Sequence, residues 1–228
     1  VIISAGFGET GAEGMARQEE IAHLCAGAGL PAVGPNCMGI CSFSQKLCGT
    51  METLRSAPGN VSFISQSGTY GITTLNYGLR MGVAFNIFVS SGNEAVTRFS
   101  DYLEYLGQDE DTRVVMGYIE SLRDGARFAR NAKEVTKKKP VVAMKFGRTR
   151  KGSLAAASHT GALTGTHAIY SSVFRQCGVI EVTRTHDLLN VALALSVQPS
   201  MRGNRVAIIG ASGGFAVAAT DYLEEHGL

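Results

Sequence analysis

Strand-like runs of Val, Ile and their apolar neighbours alternate with amphipathic helical segments along almost the whole of this 228-residue chain, and that alternation limits the fold more than any other feature. VIISA (1–5) leads to a helix around 13–28, VSFIS (61–65) to one around 69–80, and AFNIFV (84–89) to one around 98–107. VVMGYI (114–119), VVAMK (141–145), VIEV (179–182) and VAIIG (206–210) follow, with helical stretches around 124–136, 167–177 and 186–197 and a last helix after 210. Strand, helix, strand repeated in this way builds parallel sheets of the α/β class.

Two turn clusters divide the pattern: Ser56-Ala57-Pro58-Gly59-Asn60, and the stretch from Gln198 to Asn204. They bracket about five strand-helix repeats, the size of one flavodoxin-like domain. The expected organisation is a flavodoxin-like domain at 58–200, with the flanking segments 1–57 and 201–228 as parts of further domains. The chain opens directly in an apolar run and closes in a helix or its cap, so it reads as a piece of something larger.

Composition excludes several classes. The 21 basic and 19 acidic residues leave a formal charge of only +2. The densest basic runs, Lys137-Lys138-Lys139 and Arg148-Thr149-Arg150-Lys151, have no aromatic residues between them, so no nucleic-acid partner is expected. No apolar stretch approaches the roughly 20 residues that cross a bilayer, so no membrane span is expected either. The five cysteines (Cys25, Cys37, Cys41, Cys48 and Cys177) lack CxxC spacing; free thiols in a reducing cytoplasm are expected, with no metal site.

Gly6-Phe7-Gly8-Glu9-Thr10-Gly11 matches GxGxxG after an apolar run and before a helix, the setting of a dinucleotide fingerprint. About 20 residues on, however, Pro31-Ala32-Val33-Gly34 carries no acidic residue for a ribose, and the charge of Glu9 would oppose a pyrophosphate. A glycine-rich turn lining another ligand is the better reading. Ser65-Gln66-Ser67-Gly68-Thr69 is not a nucleophile elbow, because Ser65 stands where GxSxG needs glycine. It does set hydroxyls and backbone N–H groups at a helix start, which serves either as a plain serine cap or as an anion site. Ala211-Ser212-Gly213-Gly214 repeats the device after VAIIG, and neither copy has the GxxxxGK[ST] of a P-loop.

Of the five histidines, His159 sits in Ala157-Ser158-His159-Thr160-Gly161-Ala162, among residues too small to pack around it. An accessible imidazole with a reference pKa of about 6.5 is a usable nucleophile at neutral pH. Its phosphorylated form would be complemented by the positive ends of two helices. A loop histidine without a role is the alternative. Glu120, which follows VVMGYI where α/β sheets place working side chains, could accept the other ring N–H; a surface carboxylate is its alternative. His23, His167, His186 and His226 fall in helices or at their ends and read as structural.

In this order and spacing, GFGET near residue 6, Gly34-Pro35-Asn36-Cys37-Met38-Gly39, SQSGTYG at 65, Ser91-Gly92-Asn93, YLEYLGQDEDTRVVMGYIES at 102–121, SHTGALTG at 158 and GASGG at 210 resemble the NDP-forming acyl-CoA synthetase family, relatives of succinyl-CoA synthetase. The resemblance implies an acid-CoA ligase that links an acyl-CoA thioester to ATP or GTP through acyl phosphate and phosphohistidine. It implies His159 as the phosphorylated residue and Glu120 as the glutamate facing it. Ser67, Gly68 and Thr69 would form one phosphate-facing helix start, and Ser212, Gly213 and Gly214 the other. Asn36 and Cys37 would lie beside the CoA thiol and acyl group, with Gly6, Phe7 and Glu9 lining the same pocket.

On the same resemblance, residues 1–57 are the end of a Rossmann-like CoA-binding domain, 58–200 a flavodoxin-type domain carrying the histidine loop, and 201–228 the start of a second one. The cofactors implied are CoA, and ATP/ADP or GTP/GDP with Mg2+ held mainly by an ATP-grasp domain or subunit absent from this chain. The partners implied are a carboxylic acid and an oligomeric assembly. The rival from another class is a non-catalytic acyl-CoA or nucleotide-sensing module, against which retention of His159 argues.

Overall fold

The computed structural model describes residues 1–154, 166–199 and 203–228. It divides into two compact units, Val1–Val197 and Gln198–Leu228.

The first unit is built on a seven-stranded sheet, β1 (Gly39–Ser42), β2 (Leu47–Thr50), β3 (Val61–Ser65), β4 (Phe85–Ser90), β5 (Val114–Ile119), β6 (Val141–Lys145) and β7 (Ile180–Val182), in the order β2-β1-β4-β3-β5-β6-β7. β3 to β7 are parallel, and taken alone they follow the flavodoxin order 2-1-3-4-5. The helices of this unit are α1 (Ala12–Gly27), α2 (Gly68–Arg80), α3 (Phe99–Gln108), α4 (Gly125–Thr136), α5 (His167–Gln176) and α6 (Thr185–Val197).

Both faces of the parallel strands are covered, which is why they read as continuous apolar runs. Along β5, Val114 and Met116 join one core and Val115 and Ile119 the other, the period-2 alternation of a strand. Ile72 and Leu75 of α2 and Leu188, Leu189 and Ala192 of α6 complete the first core. Phe99, Leu103 and Leu106 of α3, Phe128 of α4 and Phe174 of α5 complete the second. Each wholly buried Phe contributes roughly 1.5–3 kcal/mol, so the sheet is held rigidly from both sides.

Two sequence expectations are corrected, and one element was not expected. VIISA forms no ladder among the described residues. Its backbone bonds to the 31–36 segment are Ile2 N to Val33 O (2.9 Å) and Asn36 N to Ser4 O (2.9 Å), and Pro35 between them has no N–H to extend the pairing. VAIIG likewise has no strand partner in the second unit, where no second strand is described to pair with it. In the opposite direction, Gly39–Ser42 and Leu47–Thr50 make an antiparallel hairpin that the sequence did not announce, and β1 docks it on the edge of β4. Its two four-residue strands, GICS and LCGT, carry only Ile40 and Thr50 as β-branched residues among Gly, Cys, Ser and Leu, too weak a signal for a strand.

The second unit holds α7 (Gly213–Glu225), with Ser212 in extended conformation at its start.

Candidate functional site at the sheet switch point

β3 is flanked by β4 on one side and β5 on the other, and α2 and α3 leave for opposite faces. The C-terminal ends of β3 and β5 therefore open a crevice, the place where doubly wound sheets bind ligands. A cavity of about 630 Å³ occupies it, lined by Glu9, Gln18, Asn36, Cys37, Met38, Gln66, Ser67, Gly68, Thr69, Asn93, Glu94 and Glu120 among others.

The Ser67–Thr69 junction follows directly from β3. Ser67 is extended (φ −92°, ψ 126°) and its hydroxyl makes no capping bond to the helix. The plain-cap reading is thus not what the geometry shows, and Ser67, Gly68 and Thr69, at the positive end of α2, line the crevice. Glycine at 68 is a packing need: a Cβ there would meet Met38 Cγ at 2.6 Å.

Glu120 continues β5 and is 9% exposed; its backbone N–H donates to Gln66 Oε1 at 2.6 Å. Paired with Ile119, the residue before it, the buried Lys145 ends β6 and holds its ammonium 4.7 Å from the Tyr170 ring centre. Burial lowers the Lys145 pKa to about 8, against the opposing pull of the Glu120 charge.

The opening turn closes on itself. Gly6 N and Phe7 N donate to Glu9 Oε1 at 2.6 and 3.2 Å, so the N–H groups that a dinucleotide fingerprint turns toward pyrophosphate meet a carboxylate of the same loop. Burial opposes ionisation of Glu9, but the Asn93 amide and the Gly6 and Phe7 N–H groups outweigh it and hold the carboxyl below its usual range.

The 32–36 segment reaches the site through the loop after β4. Asn93 N donates to Pro35 O (2.9 Å), Ala95 N to Gly34 O (3.0 Å) and Thr97 N to Ala32 O (3.2 Å). Gly92 has φ 60°, and a Cβ there would lie 2.3 Å from Pro35 O and 2.5 Å from Asn36 O. Asn36 Nδ2 in turn donates to Asn93 Oδ1 at 3.2 Å. Cys37 is 4% exposed, and its thiol donates to Ile2 O at 3.3 Å. Burial pushes that thiol pKa up.

Of the residues expected from sequence, Glu9, Asn36, Cys37, Ser67, Gly68, Thr69 and Glu120 line this one cavity; Gly6 and Phe7 do not line it, and their N–H groups are instead taken up by Glu9. Ser212, Gly213 and Gly214 start α7 of the second unit, again with no capping bond from the serine. His159 lies outside the described residues. The side chains that sequence reasoning passed over are Gln18, Gln66, Asn93 and Glu94, although Gln66 and Asn93 stood inside quoted motifs. Among the described residues, no cluster of three or more His, Cys, Asp or Glu could hold a metal ion. No described helix is long and apolar enough to cross a membrane.

A parallel sheet of this order with a polar crevice at its switch point defines a doubly wound, flavodoxin-like domain. The chain belongs to the family described as the succinyl-CoA ligase like flavodoxin domain, which its residues 58–195 match. Over all 228 residues it is 42% identical to the alpha subunit of an ADP-forming acetate–CoA ligase II of Pyrococcus furiosus, of which it covers 50%. It is 35% identical over 225 residues to an ADP-forming 4-hydroxybutyrate–CoA ligase of Nitrosopumilus maritimus, covering 97% of this chain and 32% of that protein. A solved structure, the dinucleotide forming acetyl-coenzyme A synthetase 1 of Ca. Korarchaeum cryptofilum in complex with phosphate and ADP, is similar with a TM-score of 0.93 and 34% identity, covering 99% of this chain and 49% of that one. The chain spans half or less of the length of these relatives.

Proposed function

We propose that this chain carries the acyl-transfer and phosphohistidine steps of an NDP-forming acid-CoA ligase. The observation that carries the reading is one cavity shared by the uncapped α2 start, Glu120 and the Asn36–Cys37 segment. Three balanced steps follow. A phosphate oxygen attacks the acyl-CoA carbonyl, the C–S bond breaks, and CoA leaves as thiolate and takes a proton. The His159 imidazole then attacks the phosphorus of the acyl phosphate, and the carboxylate leaves. Phosphohistidine finally passes its phosphoryl group to ADP or GDP.

In these steps the N–H groups of Ser67 to Thr69 hold phosphate oxygens at the positive end of α2. Glu120 accepts the His159 ring N–H and so selects the tautomer whose other nitrogen is free to attack. Asn36 and Cys37 border the acyl group and CoA thiol, with Glu9 beside them. Ser212, Gly213 and Gly214 offer a second helix start of the same kind. In this reading residues 1–57 complete a CoA-binding domain, 58–200 carry the histidine loop and 201–228 begin a further flavodoxin-type domain. The nucleotide and its Mg2+ belong to an ATP-grasp domain or subunit, within an oligomeric cytoplasmic enzyme. The sensing-module reading gains no support, since the relatives compared are named as ligases or synthetases.

The test is to incubate the intact protein with labelled ATP and Mg2+. An acid-labile, base-stable phosphoprotein that disappears in His159→Ala supports the reading. Equal labelling of that variant rejects it.

A further inference from the structure

Gln66 is the first residue after β3, and its amide binds the end of β5 at three points. Oε1 accepts from Glu120 N at 2.6 Å and from Ser121 N at 3.0 Å, while Nε2 donates to Ser121 O at 2.7 Å. The amide orientation is dictated by the backbone, since two N–H donors demand the oxygen and a carbonyl demands the NH2. Gln66 N also donates to Tyr118 O at 3.2 Å, so main chain and side chain of one residue clasp the turn that presents Glu120. Gln66 is only 9% exposed, where unmatched polar groups are costly.

On its other side the amide faces Glu94, which is 5% exposed and accepts the Ser91 hydroxyl at 2.7 Å. Glu94 has φ 55°, a backbone state that non-glycine residues adopt rarely and mostly where surrounding contacts impose it. Ser91 N donates to Ser65 O at 2.8 Å, which closes the ring back onto β3. The ends of β3, β4 and β5 thus meet at one side chain.

We infer that Gln66 is a positioning residue: it fixes the Glu120 turn relative to the α2 start, so that imidazole and phosphoryl group meet in reactive alignment. The inference rests on the ligase reading for its readout. A displacement of about 1 Å in such a site can cost roughly 100-fold in rate.

The experiment is a double-variant cycle on the rate of phosphoenzyme formation at saturating nucleotide, in the intact protein. Gln66→Leu is expected to slow the step roughly 10- to 100-fold with the nucleotide KM unchanged. Because Gln66 acts through Glu120, Gln66→Leu combined with Glu120→Gln should be about as slow as Glu120→Gln alone. Independent, multiplying losses, or a parent-like rate for folded Gln66→Leu, would overturn the inference. Should Gln66→Leu fail to fold, Gln66→Asn replaces it, because its amide is one methylene too short for the three bonds. Absence of phosphoenzyme in the parent would instead reject the ligase reading itself.

Discussion

The Asn93 amide donates to Glu9 Oε2 at 2.5 Å and to Gln18 Oε1 at 2.9 Å, so one side chain from the loop after β4 fixes the carboxylate of the opening turn. Asn93→Ala removes both bonds and the acceptor for Asn36. The expected result is a roughly 10-fold rise in KM for CoA, about 1.4 kcal/mol of binding, with little change in the rate at saturating CoA. Steady-state kinetics of the intact protein check it.

The same carboxylate has a signed pH signature. The folded pKa of Glu9 is depressed, so the unfolded chain binds more protons as pH falls through the ordinary carboxylate range. Its stabilising contribution is present above that range and is lost as pH falls through the depressed value. Unfolding midpoints of the parent should decline with acid more steeply than those of Glu9→Gln. Parallel curves would show that Glu9 ionisation is not coupled to folding.

Glu94 predicts the opposite sign. Burial raises its pKa from 4.5 to about 7, against hydrogen bonds from Ser91 and Gln66, so the folded state holds the proton more tightly. The contribution of Glu94 to stability is full below 4.5 and is lost as pH rises through 7, on the order of 3 kcal/mol for that shift. Glu94→Gln cannot ionise, and denaturant unfolding at pH 5 and pH 7.5 should show this part of the slope gone.

Gly92→Ala should destabilise the first unit by about 2–3 kcal/mol, because the residue sits at φ 60° with Pro35 O only 2.3 Å from a new Cβ. Since the clash lies against the Pro35–Asn36 backbone, CoA affinity should weaken along with stability. Chemical denaturation and calorimetric titration with CoA measure the two effects separately.

Much of the architecture was legible from local signals. VSFIS and VVMGYI are strands over the residues that their apolar runs suggested, and that placed Ser67 and Glu120 at neighbouring strand ends. What the local pattern could not carry was pairing. VIISA looks like a strand, but Pro35 interrupts its partner, whereas the unpromising Gly39–Ser42 pairs because β4 offers an open edge. The Gln66 bridge was hidden for a related reason. Gln66 and Glu120 stand far apart in the chain, and the value of an amide at 66 depends on which backbone groups the sheet brings to it.

Transfer of a phosphoryl group from an acyl phosphate to this chain, the step on which the proposed ligase function turns, can be measured without any nucleotide. The intact protein is incubated with acetyl phosphate, and phosphorylation is mapped by mass spectrometry under alkaline conditions that preserve phosphohistidine. A phosphoryl group is expected on His159, lost in His159→Ala and strongly slowed in Glu120→Gln. Phosphorylation at another residue, or none while ATP still turns over, would contradict the proposed function.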